Sequence, residues 1–300
     1  MTSLPHTERA HAKINLVLRI LARETSGYHG IETLFQRIAL HDVVTVRVGV
    51  SSRDLTCAGP SMPTQGLGDV EQNLAWRAAD LYTREAQWDT GWDISIQKQI
   101  PVGGGLGGGS ADAAAVLRAM DVLNPAPLGP TRLIELGTAL GADVPFLVTQ
   151  VSRAWAWGRG DRLLILPPLP VVPVLLFPFA DGVNTVEAYG AFAAMREASG
   201  ERVSARAYTA DAFTSWEQIA GIAENDFERV VPSMHAGVAE LLPILKQTVT
   251  QLHRVRDRLG SQGAAIGMLS GSGATCFLLL AGLGGNFGFG VERRIETETF

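Results

Sequence analysis

A run of glycines at residues 103–109 constrains this chain more than any other feature of its sequence. Six of these seven positions are glycine, and Leu106 alone interrupts them. Glycine costs about 0.5–1 kcal/mol relative to alanine in a helix or strand, so the run predicts an irregular loop. Residues 92–96 alternate as a strand does, and the alanine-rich residues 110–123 favour a helix. The sequence therefore predicts a strand, a glycine loop and a helix in succession.

A glycine loop that leads into a helix can present several backbone N–H groups to one anion. The helix N-terminus adds partial positive charge, worth about 0.3–1 kcal/mol per interaction. We expect a polyphosphate to bind there, with Ser110 as the N-cap of the helix and as a candidate ligand of Mg2+ or of a phosphate. The alternative is a purely structural or flexible loop. The residues expected to hold the phosphates are Pro101, Gly103, Gly104, Gly105, Leu106, Gly107, Gly108, Gly109 and Ser110.

The loop nearly matches two known glycine patterns. Read as G-x-x-x-x-G-K-S, it has Gly109 where the lysine belongs, so the counter-charge for a phosphate must come from elsewhere; Lys13 and Lys98 are the nearest candidates. Read as G-x-G-x-x-G, it lies after three predicted strands and before helical segments, which disfavours a dinucleotide fold. A polyphosphate remains the favoured ligand.

Composition excludes several classes of protein. The chain has 300 residues, 46% hydrophobic and 18% charged, with a formal net charge of -5, which indicates a globular protein and no general nucleic-acid binder. Two cysteines without metal-ligand spacing are typical of a reducing cytoplasm. The apolar residues 163–180 include five prolines, so we predict no membrane span there. The polar N-terminus lacks the apolar core of a signal peptide, and we expect a soluble, cytoplasmic protein.

The proline-rich residues 167–173 divide the chain into two predicted α+β domains, 1–166 and 167–300. In the first, strands are predicted at 12–20, 31–40, 43–50 and 92–96, and helices at 73–84, 110–123 and 131–140. In the second, strands are predicted at 171–177, 263–268 and 274–280, and helices near 185–197, 211–222, 226–232 and 235–257.

Four segments of the chain resemble the GHMP kinase superfamily. They are AKINL at 12–16, Gly-Tyr-His with Thr-Leu-Phe within 27–35, PVGGGLGGGSADAAA at 101–115 and GADVPF at 141–146. Weaker similarity lies at 73–74, 225–226 and 270–275. The early Gly-Tyr-His narrows the resemblance to the branch that phosphorylates a cytidine diphosphate-linked methylerythritol in the non-mevalonate isoprenoid pathway.

The resemblance implies a two-domain GHMP kinase fold. Its N-terminal domain is like domain 2 of ribosomal protein S5, its C-terminal domain is ferredoxin-like, and the active site lies in the cleft between them. It also implies ATP as phosphoryl donor, Mg2+ as helper, and the 2-hydroxyl of the cytidine-bearing molecule as acceptor. Mevalonate, homoserine or a sugar as acceptor, and a nucleotide-binding regulator without catalysis, remain alternatives. Monomer and homodimer are both left open.

Two residues are candidates for catalysis. Asp143 follows a predicted helix in a glycine-bounded turn, and Lys13 shares a strand face with Asn15. From the residues alone, Asp143 could be a turn aspartate bonded to its own backbone, and Lys13 could point at water. The resemblance implies that Asp143 accepts the proton of the attacking hydroxyl while Lys13 keeps the carboxylate ionised.

Further residues are expected to bind the substrates. The resemblance implies that Tyr28 and His29 hold the cytosine and that Asn15 bonds the acceptor; Tyr189 is a second candidate for stacking. Asn73 and Lys98 are expected to border the adenine and the phosphates. The loop 270–275 could close the site from the second domain, or could simply join two strands.

Overall fold

The computed structural model describes residues 4–23, 29–283 and 294–300. The strands are β1 (His6–Arg23), β2 (His29–Val50), β3 (Arg53–Ala58), β4 (Gly91–Gln97), β5 (Arg153–Gly158), β6 (Arg162–Ile165), β7 (Pro173–Phe177), β8 (Glu224–Asn225), β9 (Ala264–Leu269), β10 (Cys276–Ala281) and β11 (Ile295–Glu298). The α-helices are α1 (Leu74–Glu85), α2 (Gly108–Leu123), α3 (Pro130–Leu140), α4 (Val144–Thr149), α5 (Thr185–Ser199), α6 (Trp216–Ile222), α7 (Val231–Met234) and α8 (Ala236–Leu259).

The first sheet contains seven of the described strands. Its order is β3-β4-β2-β1-β8, while β5 pairs with the first half of β2 and carries β6 on its other side. The strand β2 is continuous from His29 to Val50, so the prediction of two separate strands at 31–40 and 43–50 was wrong. The apolar pattern breaks at Asp42, which suggested a strand end; yet Asp42 is fully buried in the middle of the strand. Asp42 is buried there because its carboxylate pairs with the ammonium of Lys98.

One face of the first sheet is covered by α1 to α4. The helix α2 lies against β1 and β2 through its alanines, which are buried from Ala111 to Ala119 and allow the helix to approach the sheet closely. Phe35 on β2 stacks on Phe146 of α4 with ring centroids 4.9 Å apart. The packing of α2 brings its N-terminus, and therefore the glycine loop, next to β1.

The second sheet is antiparallel, with the order β11-β7-β10-β9 among the described strands. Every residue of β9 and β10 is buried, and their side chains alternate between two hydrophobic clusters. One cluster is continuous with the core under the first sheet, and the other lies under α5 and α8. The second sheet is therefore packed on both faces, which fixes the loop between β9 and β10 relative to the first sheet.

The proline-rich segment separates the two sheets along the chain, with two exceptions. Residues of β8 pair in parallel with Val17 and Leu18 of β1, and Thr299 forms a bridge with Ile38 of β2. The predicted helix at 226–232 was wrong in part, because β8 is followed by a 3-10 turn, Asp226–Arg229, and then by the short α7. Similarly, 211–222 is divided into a 3-10 turn, Ala210–Phe213, and α6. In the described part of the chain, no helix has the length and hydrophobicity to cross a bilayer.

Candidate active site

The glycine loop joins β4 to α2 as predicted, but the helix begins earlier than expected. Its first residue is Gly108 and its N-cap is Gly107, which has a left-handed φ of +73°. Ser110 is therefore the third residue of the helix, and the prediction that it caps the helix was wrong. Glycine adopts the left-handed conformation of the cap position without steric cost, which explains Gly107. The hydroxyl of Ser110 is consequently not used as a cap.

Every second residue of the loop has a left-handed backbone. The φ angles of Gly103, Gly105 and Gly107 are +75°, +75° and +73°. An L-residue pays about 1–2 kcal/mol for this conformation, which explains a glycine at each of the three positions. Turns in which left-handed residues alternate with others can direct successive N–H groups toward one point, as anion-binding nests do.

A second loop, residues 270–275 between β9 and β10, packs directly on the glycine loop. The backbone N–H of Thr275 donates to the carbonyl of Gly104 at 3.2 Å, and Ser270 Oγ donates to the carbonyl of Gly105 at 3.1 Å. A Cβ atom on Gly105 would collide with the carbonyl oxygen of Ser270, and one on Gly104 with Oγ1 of Thr275. Part of the glycine run therefore serves contact with another loop of the protein, which the interpretation as a ligand loop alone had missed.

Lys13 lies at the centre of this arrangement. Its Nζ donates to Asn15 Oδ1 at 2.8 Å and to the carbonyl of Gly105 at 3.0 Å, and it lies 3.3 Å from Asp143 Oδ2. The side chain is only 4% exposed, so the alternative of a lysine that points at water is wrong. The prediction that Lys13 and Asn15 share a face is confirmed by their hydrogen bond.

Asp143 lies in the turn between α3 and α4, where the sequence predicted it. The alternative was a turn aspartate bonded to its own backbone, but the side chain makes no cap hydrogen bond with α4 and instead pairs with Lys13. The carboxylate is 26% exposed, which leaves it accessible to a substrate while it faces Lys13. A Cβ atom on Gly107 would lie 3.5 Å from Asp143 Oδ2, so the carboxylate borders the glycine loop.

Asn15 is held inside the protein. Its Nδ2 donates to Thr33 Oγ1 at 2.8 Å, and that hydroxyl donates to the carbonyl of Val17 at 2.7 Å. The residue is 2% exposed, and its Oδ1 is already bonded to Lys13. This position favours a role in orienting Lys13 over the expected direct contact with an acceptor. Thr33 belongs to the Thr-Leu-Phe segment, but no local pattern indicated its function.

The expected acceptor-binding residues are described only in part. Tyr28 and the side chain of His29 lie outside the described residues. Tyr189 lies on α5 and packs edge-on against Phe227, with ring centroids 4.9 Å apart. Burial, and secondarily the negative charge of Asp143, raises the pKa of Tyr189 to about 12.

Lys98 and Asn73 have partners other than those expected. Lys98 Nζ is buried between Asp42 Oδ2 and Asp112 Oδ2, at 2.5 and 2.6 Å, which does not support its expected contact with phosphates. Asn73 caps α1, because its Oδ1 accepts from the backbone N–H of Ala75 at 2.9 Å. Lys98 nevertheless lies next to the loop, because a Cβ atom on Gly108 would approach its Nζ, and Leu74, which follows Asn73, has a methyl near the Cβ position of Gly109.

Asp42 and Asp112 escaped the sequence analysis. A signal was present for each, because a carboxylate interrupts an apolar strand at Asp42 and a run of alanines at Asp112. Burial raises the pKa of Asp112 well above the usual carboxyl range, although the nearby Lys98 ammonium opposes this. Asp42 and Asp112 share the buried ammonium of Lys98. Burial alone would lower the pKa of Lys98, but the two carboxylates outweigh this effect and raise it.

Comparison with known proteins places these features in one family of sequences. The family described as GHMP kinases N terminal domain matches residues 73–150. The chain is 36% identical over 271 residues to the 4-diphosphocytidyl-2-C-methyl-D-erythritol kinase of Gloeobacter violaceus. This match covers 90% of this chain and 83% of the relative. It is 35% identical over 282 residues to the kinase of the same name from Pelotomaculum thermopropionicum, with 92% and 90% covered.

Solved structures give the same result for the fold. A crystal structure of 4-(cytidine 5'-diphospho)-2C-methyl-D-erythritol kinase superposes with a TM-score of 0.65 at 31% identity, covering 98% of this chain and 99% of that one. The Methanococcus jannaschii mevalonate kinase superposes with a TM-score of 0.57 at 13% identity, covering 99% of both chains. The second likeness shows a shared fold alone.

Proposed function

The chain belongs to the 4-diphosphocytidyl-2-C-methyl-D-erythritol kinases of the GHMP kinase superfamily, and from this premise we propose the reaction that it catalyses. It is an ATP-dependent small-molecule kinase that transfers the terminal phosphoryl group of ATP to the 2-hydroxyl of 4-diphosphocytidyl-2-C-methyl-D-erythritol. The products are ADP and the 2-phosphate, in the non-mevalonate route to isoprenoid precursors. The observation that carries this proposal is the contact between Lys13 and Asp143 at the edge of the glycine loop.

The glycine loop and Asp143 have different roles in the reaction. Phosphoryl transfer depends mainly on positioning and on neutralising charge, which the N–H groups of the loop and the N-terminus of α2 supply to the triphosphate. The carboxylate of Asp143 accepts the proton of the acceptor hydroxyl as its oxygen attacks the terminal phosphorus. The phosphorus–oxygen bond to ADP breaks, and ADP leaves with the electron pair.

Lys13 assists both Asp143 and the phosphoryl group that is transferred. Its ammonium lies 3.3 Å from Asp143 Oδ2 and stabilises negative charge on the transferring phosphoryl group. It is held by Asn15 and by the carbonyl of Gly105, so it need not reorganise when the substrates bind. The bond to the Gly105 carbonyl also ties the orientation of Lys13 to the conformation of the glycine loop.

The residues present fit a magnesium ion that arrives with ATP. No three His, Cys, Asp or Glu side chains cluster as metal ligands in the described ranges, and kinases usually hold Mg2+ through the phosphates with one or two protein groups. Ser110 is the candidate ligand, because its hydroxyl does not cap the helix and a Cβ atom on Gly141, in the turn that leads to Asp143, would lie 3.9 Å from its Oγ. When bound, the ion would neutralise phosphate charge.

The remaining assignments complete the proposal. Tyr28, His29 and Tyr189 bind the cytosine end of the acceptor, and Asn73 and Pro101 border the nucleotide. The two domains are 1–166 and 167–300; the position of one sheet on each side of the proline-rich segment supports this division, although β8 crosses it. We further propose a cytoplasmic enzyme, monomeric or homodimeric, with neither nucleic acid nor membrane as partner.

An acceptor comparison tests the proposed function. ADP formation is measured with MgATP and, in separate reactions, the cytidine-bearing acceptor, mevalonate, homoserine or no acceptor. We expect ADP with the cytidine-bearing acceptor at least a hundredfold faster than with the others. Equal rates with mevalonate or homoserine would assign a different kinase, and nucleotide binding without acceptor-dependent ADP would indicate a regulator. Replacing His29 with alanine should raise the KM of the cytidine-bearing acceptor and leave the KM of ATP unchanged.

A further inference from the structure

A single buried ammonium links the two ends of the glycine loop. Lys98 follows β4 directly, and its Nζ contacts both Asp42 of β2 and Asp112 of α2. All three residues are less than 4% exposed. Charged groups at this depth occur where the structure depends on their pairing, because each would be costly alone.

Asp42 fixes the entry to the loop. One of its carboxylate oxygens contacts Lys98, while the other accepts from the backbone N–H groups of Gln99 and Ile100, at 2.5 and 2.8 Å. Pro101, which opens the glycine segment, follows immediately. The carboxylate therefore determines the direction in which the chain leaves β4.

Asp112 fixes the exit from the loop. It lies within the first two turns of α2, where it reaches Lys98 from the opposite side of Asp42. At the start of the same helix, a Cβ atom on Gly108 would lie 3.1 Å from Cγ2 of Ile100 and 3.6 Å from Lys98 Nζ. The first turn of the helix thus rests on the segment that enters the loop.

We propose that Lys98 is a positioning residue, which acts with Asp42 and Asp112 to set the distance between the two ends of the glycine loop, and that it does not touch the nucleotide. This inference rests on the proposed function, because it assumes that the loop binds the triphosphate of ATP. Lys98 is 2% exposed, and its ammonium is paired with two carboxylates inside the protein. The loop itself consists of glycines that impose little conformation of their own, so its shape depends on the points at which its ends are held.

A second-site rescue separates positioning from direct contact. The variants are Lys98→Met, Asp112→Asn and the double variant, and MgATP is titrated into each full-length protein by calorimetry. Lys98→Met leaves two buried carboxylates without a cation, so we expect the ATP Kd to rise at least tenfold and the acceptor KM to change less than threefold. Adding Asp112→Asn removes one unpaired carboxylate and should recover at least threefold of the lost affinity. If Lys98 contacted ATP directly, the double variant would bind ATP no better than Lys98→Met, and the inference would be wrong.

Hydrogen exchange of the nucleotide-free protein keeps the inference testable if Lys98→Met does not fold. Asp112→Asn is nearly isosteric and leaves Lys98 paired with Asp42. We expect the amides of residues 103–108 to exchange at least threefold faster in this variant than in the wild type, with residues 153–158 of β5 as the unaffected reference. Unchanged exchange in the loop would overturn the inference. Failure of the wild type itself to bind MgATP would instead refute the proposed function.

Discussion

Lys13 Nζ lies 3.3 Å from Asp143 Oδ2, although the two residues are far apart along the chain. Strand β1 supplies the lysine and the turn before α4 supplies the carboxylate, and the packing of α2 against β1 brings the glycine loop next to both residues. The pair therefore depends on the tertiary arrangement of three segments. Its proposed role in proton and phosphoryl transfer can be tested residue by residue.

Replacing Asp143 with asparagine removes the proposed proton acceptor and preserves the volume of the side chain. We expect kcat to fall by about 100- to 10,000-fold, the usual contribution of a general base, while the ATP Kd changes little. Steady-state kinetics and calorimetric ATP titration measure the two effects. Asp93→Asn on β4 is the matched control and should keep wild-type kcat. A kcat within threefold of wild type for Asp143→Asn would remove this residue from the mechanism.

Replacing Asn15 with alanine removes one of the hydrogen bonds that orient Lys13. Hydrogen bonds to charged groups contribute about 1.5–3 kcal/mol, so we expect kcat to fall by about tenfold or more. Because Asn15 is 2% exposed, the KM of the acceptor should rise by less than the fall in kcat. Thr33→Val, which breaks the same chain of bonds one step further from Lys13, should show a weaker form of the same change. A large rise in acceptor KM at normal kcat would show direct substrate contact instead.

Three glycine-to-alanine variants separate the two uses of the glycine loop. Gly66→Ala carries only the strain of a left-handed φ, because nothing lies within 4 Å of its Cβ position, and should cost about 1–2 kcal/mol of unfolding free energy. Gly105→Ala adds a collision with the backbone of Ser270 and should lower Tm by more than Gly66→Ala. Gly107→Ala meets the flexible chain of Lys13 and the carboxylate of Asp143, so it should impair kcat with a stability near that of Gly66→Ala. Thermal unfolding and kinetics of the three variants provide the comparison.

His11 makes the stability of the fold depend on pH. Burial, followed by the charges of Arg37 and His41, lowers the pKa of His11 from 6.5 to about 4. Between pH 6.5 and pH 4, His11 therefore binds a proton in the unfolded chain but not in the folded chain. The free energy of unfolding should fall as the pH drops through this range. We expect His11→Gln to reduce the loss of Tm between pH 7 and pH 5, whereas His6→Gln on the same strand should retain it. An identical pH dependence in wild type and His11→Gln would contradict this assignment.

Local patterns identified the parts of the site that lie close in sequence. The glycine loop, the turn that carries Asp143 and the common face of Lys13 and Asn15 followed from composition and strand alternation. The resemblance to GHMP kinases then supplied roles for these residues. The contact between Lys13 and Asp143 itself depends on packing across the sheet, which no local pattern encodes.

Features that depend on distant partners were not predicted. Asp42 interrupts the apolar pattern of β2 because it binds the chain that enters the glycine loop, and its partner Lys98 lies just after β4, far away in the sequence. The short β8 has two residues, too few for a periodic signal, and exists because β1 offers it a free edge. Ser110 was misplaced since glycine is usually read as the end of a helix and here begins one.

The carbonyl of Gly105, shared by Lys13 Nζ and Ser270 Oγ, has a consequence for protein engineering. A chimaera that joins the first half of this enzyme to the second half of a related kinase would place a foreign β9–β10 hairpin against the glycine loop. Swapping acceptor preference in this fold therefore requires the β9–β10 hairpin to travel with the N-terminal half, as one inseparable module.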